Sequence, residues 1–126
     1  MHHVHLSYAL SVEPELRRGL HHPLIALLDA LHDTGSIRAA ARTLGLSYRH
    51  VWGELRRWEA ELGRELVVWV KGQPARLSPA GARLLAAERR AQARLAPQIE
   101  ALCHALEQAF AAALDEPGRG ATPRSS

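Results

Sequence analysis

At 126 residues, with 47% apolar and 23% charged side chains, the chain has the size and composition of one globular domain with at most an extended appendage. Its single cysteine, Cys103, excludes an internal disulfide and fits a reducing cytoplasm. No apolar run approaches the ~18 residues of a membrane span and the N-terminus carries no export signal, so neither membrane insertion nor export is expected. The formal charge of +3 is unevenly spread. Residues 36–94 hold 12 Lys/Arg against 5 Asp/Glu, a net +7, and the remainder holds 4 against 8, a net −4. A basic middle segment suits a polyanionic partner.

In chain order, "VHLSYALSV" (residues 4–12) alternates Val4, Leu6, Tyr8, Leu10 and Val12 with His5, Ser7, Ala9 and Ser11. Period two predicts a half-buried N-terminal strand, ended by Glu13-Pro14. Pro23 can open a helix in which Leu24, Leu27, Leu28 and Leu31 form a buried stripe, and Gly35 stops it. Ser36 caps a short helix, "IRAAARTL", whose Ala39–Ala41 cluster permits close helix contact. Gly45 ends that helix, Leu46 is placed to plug the corner, and Ser47 caps the next one, over Tyr48 to Leu62, closed by Gly63.

"ELVVWV", the turn "KGQP" and the return "ARLS" predict a hairpin. Ser78-Pro79 then starts a long alanine-rich helix reaching about Leu114, in which Pro97 is expected to cause a kink or interruption near Ala93. The tail, 115–126, is polar and rich in Pro, Gly and Ser, and is expected to be disordered.

The fold predicted is mainly α with a small β-hairpin wing and an N-terminal strand: a winged helix-turn-helix over 1–78, then a long dimerisation helix over 79–114. At about 100° per residue, Val51, Leu55, Trp58 and Leu62 share one side of the helix that begins at Tyr48, with Tyr48 and Trp52 flanking. Arg49, Gly53, Arg56 and Ala60 lie opposite, with His50 and Arg57 a little further round. A solvated helix face is often charged as well. The capped start, the tight turn before the helix and the hairpin after it favour DNA, because Gly53 and Ala60 let the helix sit deep in a groove ~12 Å wide.

In the last helix, Leu95, Ile99, Leu102, Leu106, Ala109 and Ala113 step by four and three, a coiled-coil spacing that predicts self-association, with Phe110 beside the seam. His2, His3, His5, His21 and His22 match no zinc-ligand spacing, so no metal is expected. Nothing resembles a nucleophile elbow, a phosphate-cradling loop or paired carboxylates, so neither a cofactor nor enzymatic activity is expected. Cys103, in an apolar helix without a basic activator, reads as a packing residue.

"GSIRAAARTLGLSYRHVWGEL" closely resembles the DNA-binding domain of bacterial ModE-type molybdate-responsive regulators, whose winged helix is shared with the larger LysR-type family. The matching pieces are Gly35-Ser36-Ile37, Ala39–Ala41, Leu44-Gly45, and Ser47-Tyr48-Arg49 followed by Trp52. "ELGRELV" and "ARLSPAGARLL" are similar to the wing and to the start of the following helix, extending the resemblance over roughly residues 20–114. It implies that the helix beginning at Ser47 reads the major groove, that the Lys71–Arg76 turn touches an adjacent groove or the backbone, and that the last helix dimerises. An oxyanion effector, molybdate or tungstate, is implied only by the resemblance, and no effector domain is expected within these residues.

The expected function is a homodimeric, sequence-specific transcriptional regulator on an inverted-repeat operator. The rival is a winged-helix interaction or architectural module. The residues expected at DNA are Ser36, Arg38, Ser47, Tyr48, Arg49, His50, Gly53, Arg56, Arg57, Lys71 and Arg76; those expected at the dimer contact are Leu95, Ile99, Leu102, Leu106 and Phe110.

Overall fold

The computed structural model describes residues 1–12 and 20–115. Its elements are α1 (Pro23–Thr34), α2 (Ile37–Leu44), α3 (Tyr48–Leu62), β1 (Val67–Val68), β2 (Arg76–Leu77) and α4 (Pro79–Leu114). The chain divides into two compact units, one of residues 20–99 and the other of residues 1–19 with 100–126.

In the first unit, local chemistry sets each helix end. His22 precedes the α1 proline and its Nδ1 accepts the Leu24 N–H at 3.1 Å. Ser36 Oγ accepts from Ala39 N at 3.2 Å, and Ser47 Oγ accepts from His50 N at 3.0 Å. Gly35, Gly45 and Gly63 close α1, α2 and α3 with φ of 72°, 70° and 68°, a region that costs a side-chain-bearing residue steric strain.

The three helices meet through Leu24, Leu27, Leu28 and Leu31 of α1, Ile37, Ala40 and Ala41 of α2, and Val51 and Leu55 of α3. Leu66, Val67 and Ala75 extend this core to the wing. Trp58 and Leu62 pack against it from the half-buried rim, where His22 meets the Trp58 ring edge-on at 5.1 Å. The Trp58 indole Nε1 is buried and has no acceptor among the described residues.

The wing is antiparallel, with Val67 opposite Leu77 and Val68 opposite Arg76. It is shorter than the predicted hairpin because Trp69 and Val70 leave the ladder and are exposed. Glu59 ties α3 to the wing: its Oε2 accepts from Leu66 N at 2.8 Å and from Val67 N at 3.2 Å. Ser78 secures the start of α4, its Oγ donating to Glu65 O at 2.6 Å and accepting from Gly81 N at 3.0 Å. A Cβ on Gly81 would stand 2.3 Å from Leu66 O, so only glycine permits this approach. Further along α4, Arg89 pairs with Asp29, and Gln92 Nε2 donates to Leu20 O at 3.1 Å.

Three expectations are corrected. Residues 4–12 form no strand: a strand exists only by hydrogen bonding to a second one, and none pairs with this segment among the described residues. Leu46 does not plug the corner and is exposed, because the sharp turn after Gly45 is closed by backbone bonds, Leu46 N to Ala41 O at 2.9 Å among them. Of the kink or interruption expected near Ala93, the interruption is absent: α4 is helical without a break from Pro79 to Leu114. Apart from Asp115, the expected disordered tail lies outside the described residues.

Along α4, Leu95, Leu102 and Phe110 are exposed while Ile99 and Leu106 are half-buried. No helix among the described residues is long and apolar enough to cross a membrane.

Candidate nucleic-acid interface

Because Val51 and Leu55 anchor α3 in the core, its opposite side must face outward, and Arg49, His50, Gly53, Arg56, Arg57 and Ala60 are all exposed. Their electrostatic circumstances differ. Arg49 and His50, in the first turn, have no side-chain hydrogen bond or ion pair among the described residues, and the same holds for Lys71 and Arg76 on the wing. Arg56 pairs with Glu59 at 3.2 Å and lies over the Trp52 ring at 4.6 Å. Arg57 pairs with Glu54 at 2.7 Å and lies over the Trp58 ring at 4.7 Å. The Arg57 hydrogen bond holds the Glu54 carboxyl below its ordinary value and raises the guanidinium in turn. Available positive charge is thus concentrated at the N-terminal end of α3 and on the wing, while the charge further along the helix is already partly balanced.

At that N-terminal end an aromatic row connects the elements. Trp69 of the wing stacks tilted on Trp52 at 5.1 Å, and Trp52 Nε1 donates to Tyr48 Oη at 2.9 Å. Since Tyr48 Oη accepts there, its own proton is left for an acceptor outside the protein. Arg38, from the first turn of α2, lies over the Tyr48 ring at 4.8 Å. The ring attracts the Arg38 guanidinium, whose side chain stays exposed.

Ser36, Arg38, Tyr48, Trp69 and Gln73 line a shallow cleft of ≈ 200 Å³. The backbone N–H groups of Ile37, Arg38, Tyr48 and Arg49 have no acceptor among the described residues, as first-turn donors of helices generally lack one. Two helix starts, an arginine and a tyrosyl hydroxyl therefore converge on a surface suited to phosphate oxygens.

The structure brings Ser36, Arg38, Ser47 and Tyr48 together around α2 and α3, with Arg49 and His50 in the same first turn of α3. The Ser36 and Ser47 oxygens are occupied by capping, so only their hydroxyl protons remain to be offered. Gly53 sits mid-helix with nothing within 4 Å of where its Cβ would be. Arg57 is the least available of the expected cations, engaged by both Glu54 and Trp58. Trp69 and Gln73 escaped sequence reading, although a tryptophan two residues before a Lys-Gly turn is an uncommon surface choice. Glu59 escaped it too, since its partners lie seven and eight residues away.

Residues 23–82 match the model for the bacterial regulatory helix-turn-helix protein, lysR family. The molybdenum transport protein ModE of Herbaspirillum seropedicae is 39% identical over 89 residues, covering 68% of this chain and 33% of that protein. The molybdenum-pterin-binding protein MopB of Rhodobacter capsulatus is 42% identical over 67 residues, covering 50% and 25%. The chain thus spans between a quarter and a third of the length of these relatives. Among solved structures, full-length CbnR complexed with its target DNA superposes with a TM-score of 0.53 at 26% identity, over 65% of this chain and 28% of that one. Over residues 23–82 the chain is therefore similar to the bacterial regulatory helix-turn-helix of the lysR family.

Proposed function

We propose that the protein acts in the cytoplasm as a homodimer that binds an inverted-repeat operator and regulates transcription from it. The observation that carries this reading is the outer face of α3. It is cationic and unpaired at Arg49, and smooth at Gly53, where nothing inside the protein requires a missing side chain. A glycine in a helix interior costs about 1 kcal/mol relative to alanine, and close approach to a groove floor is a reason to keep it.

In this docking the first turn of α3 enters the major groove with Arg49 toward base edges. Arg38, Tyr48 and the α2 start take one phosphate, and Lys71 with Arg76 take the backbone beyond. Arg56 exchanges Glu59 for phosphate only where the geometry favours it. The seam of α4, with Leu95, Leu102 and Phe110 exposed and Ile99 and Leu106 half-buried, supplies the contact between copies. Two α3 helices are then held at the ~34–36 Å spacing of successive major grooves on one side of the duplex, or a multiple of it. The molybdenum in the names of the two relatives supports an oxyanion response as a further part of the reading.

Selection of bound duplexes from a random pool tests it directly: an inverted repeat with half-sites about one helical turn apart, or a multiple, is expected. Arg49→Ala is expected to cost about 1–3 kcal/mol and to relax preference at one position of each half-site. A pool that returns no shared sequence, or an Arg49→Ala variant with unchanged affinity and preference, would overturn the docking.

A further inference from the structure

Tyr48 and Trp52 stand four residues apart on α3, and residues at that spacing are neighbours on one side of a helix. The bond between them, Trp52 Nε1 to Tyr48 Oη at 2.9 Å, runs in one direction only. An indole N–H donates and never accepts, whereas a hydroxyl does both. The Tyr48 proton is therefore turned away from Trp52, and no described residue accepts it. Satisfying an indole is not by itself the reason for the pair. Trp58, on the same helix, keeps its buried Nε1 without an acceptor among the described residues.

The indole that sets this direction is itself fixed. The Trp52 ring packs half-buried against the core, meets the Trp69 ring of the wing at 5.1 Å, and lies beneath the Arg56 guanidinium at 4.6 Å. Tyr48 in turn carries the Arg38 guanidinium over its ring at 4.8 Å and lines the same cleft as Ser36 and Arg38. The non-bridging oxygens of a phosphodiester only accept hydrogen bonds. An unconstrained hydroxyl can meet them with its proton or with a lone pair, and the second arrangement repels. Occupying a lone pair with an indole N–H removes that arrangement before any phosphate arrives. An oxygen that already accepts a hydrogen bond also donates a stronger one.

We propose that Trp52 is a positioning residue for DNA binding: its indole N–H fixes the Tyr48 hydroxyl as a donor to a backbone phosphate. The inference rests on the reading of this surface as a DNA interface, and it adds a residue that acts through Tyr48 rather than by touching nucleic acid. It also gives the wing a second part in binding, because Trp69 steadies the ring that orients Tyr48.

Salt dependence separates this role from a merely structural one. A neutral hydroxyl, unlike a lysine or arginine, releases no condensed counterion when it meets a phosphate. Its loss lowers affinity equally at every salt concentration, whereas disturbing Arg38, Arg56 or the wing cations makes the salt dependence shallower.

Binding of the full chain to a mixed-sequence duplex several helical turns long is measured across a salt series. The proteins are wild type, Tyr48→Phe, Trp52→Phe and the double variant, each checked for fold by circular dichroism. Hydrogen bonds to charged acceptors are the strong ones, so Tyr48→Phe should weaken binding about 10-fold or more. Trp52→Phe, which keeps an aromatic ring without the N–H, should weaken it about 3- to 10-fold. The double variant should bind as Tyr48→Phe does alone, because no hydroxyl is left for Trp52 to orient. All four salt lines should be parallel. If Trp52→Phe does not fold, β-(3-benzothienyl)alanine at position 52 repeats the test with the shape of indole and sulfur in place of the N–H.

Losses that multiply in the double variant, or a Trp52→Phe protein that binds as tightly as wild type, would overturn the proposal and leave the DNA reading in place. So would a shallower salt line for Trp52→Phe, or a Tyr48→Phe protein as tight as wild type. A wild-type chain with no affinity, or with an affinity indifferent to salt, would end the DNA reading and the proposal with it.

Discussion

Residues 20–99 and the unit made of 1–19 with 100–126 use their apolar side chains in opposite ways. The first buries Leu28, Leu31, Val51 and Leu55 almost completely and leaves charge outside. The second leaves Val4, Leu6, Tyr8, Leu10, Val12, Leu102 and Leu114 more than half exposed. A region that closes its own core can fold around it, whereas a region that cannot must find the missing surface elsewhere, and for Leu102 that surface is proposed to be a second copy. Under the proposed function, reading the nucleic acid falls to residues 36–76 and assembling the reader to the stretch from Leu95 to Phe110.

The sharpest break of this contrast is a pair of equivalent truncations. Leu28→Ala should cost about 2–5 kcal/mol and lower the thermal midpoint by many degrees, since Leu28 is 0% exposed and its removal leaves a cavity. Leu6→Ala, made in a side chain already in water, should leave the midpoint of dilute protein unchanged. Equal effects in calorimetry would mean that the two regions do not differ as described.

Next in size is the assembly contact. Ile99→Asp with Leu102→Asp should give a folded monomer whose operator affinity falls at least ~100-fold, because two linked half-site contacts bind with a high effective concentration. Sedimentation reads the mass and gel shift the affinity. A monomer that binds as tightly as wild type would separate assembly from function altogether.

Two further substitutions within residues 20–99 have smaller expected effects. Glu59→Ala removes a carboxylate that accepts two wing N–H groups and should cost about 1.5–3 kcal/mol in chemical denaturation. Unlike Leu28→Ala, it should also loosen the wing, seen as faster amide exchange at Leu66 and Val67. The smallest effect has opposite signs in two assays. Gly53→Ala should stabilise the fold by about 0.5–1 kcal/mol while weakening DNA binding, since the added methyl meets nothing in the protein and faces the groove. An alanine variant that is both more stable and equally tight would remove the steric argument for α3 docking.

How far the sequence could be read follows the same division. Helix starts and stops were legible because Ser36, Ser47, Pro23, Gly35 and Gly45 act within one turn of themselves, and the buried side of α3 followed from its period. Residues 4–12 have a clear strand pattern but no strand, because periodicity reports what a segment can pair with and not whether a partner is present. Leu46 was misplaced because a turn can be closed by backbone bonds without an apolar plug. The Glu59 clamp, the Trp69–Trp52–Tyr48 row and the close approach at Gly81 depend on distances between elements, which spacing in sequence does not encode. Gly81 could be seen in "LSPAG" only as part of a resemblance; its physical reason is the Leu66 carbonyl.

The central claim, that the unpaired cations at the start of α3 and on the wing meet a phosphate backbone, is tested most directly by one titration. The logarithm of the DNA association constant is measured against the logarithm of salt concentration for wild type and for Lys71→Ala. Each phosphate neutralised contributes a slope of about −0.9, so the wild-type line should fall steeply and the Lys71→Ala line should be shallower by about one. A wild-type affinity that is absent or flat across salt would contradict the account and favour a winged helix that serves protein contacts.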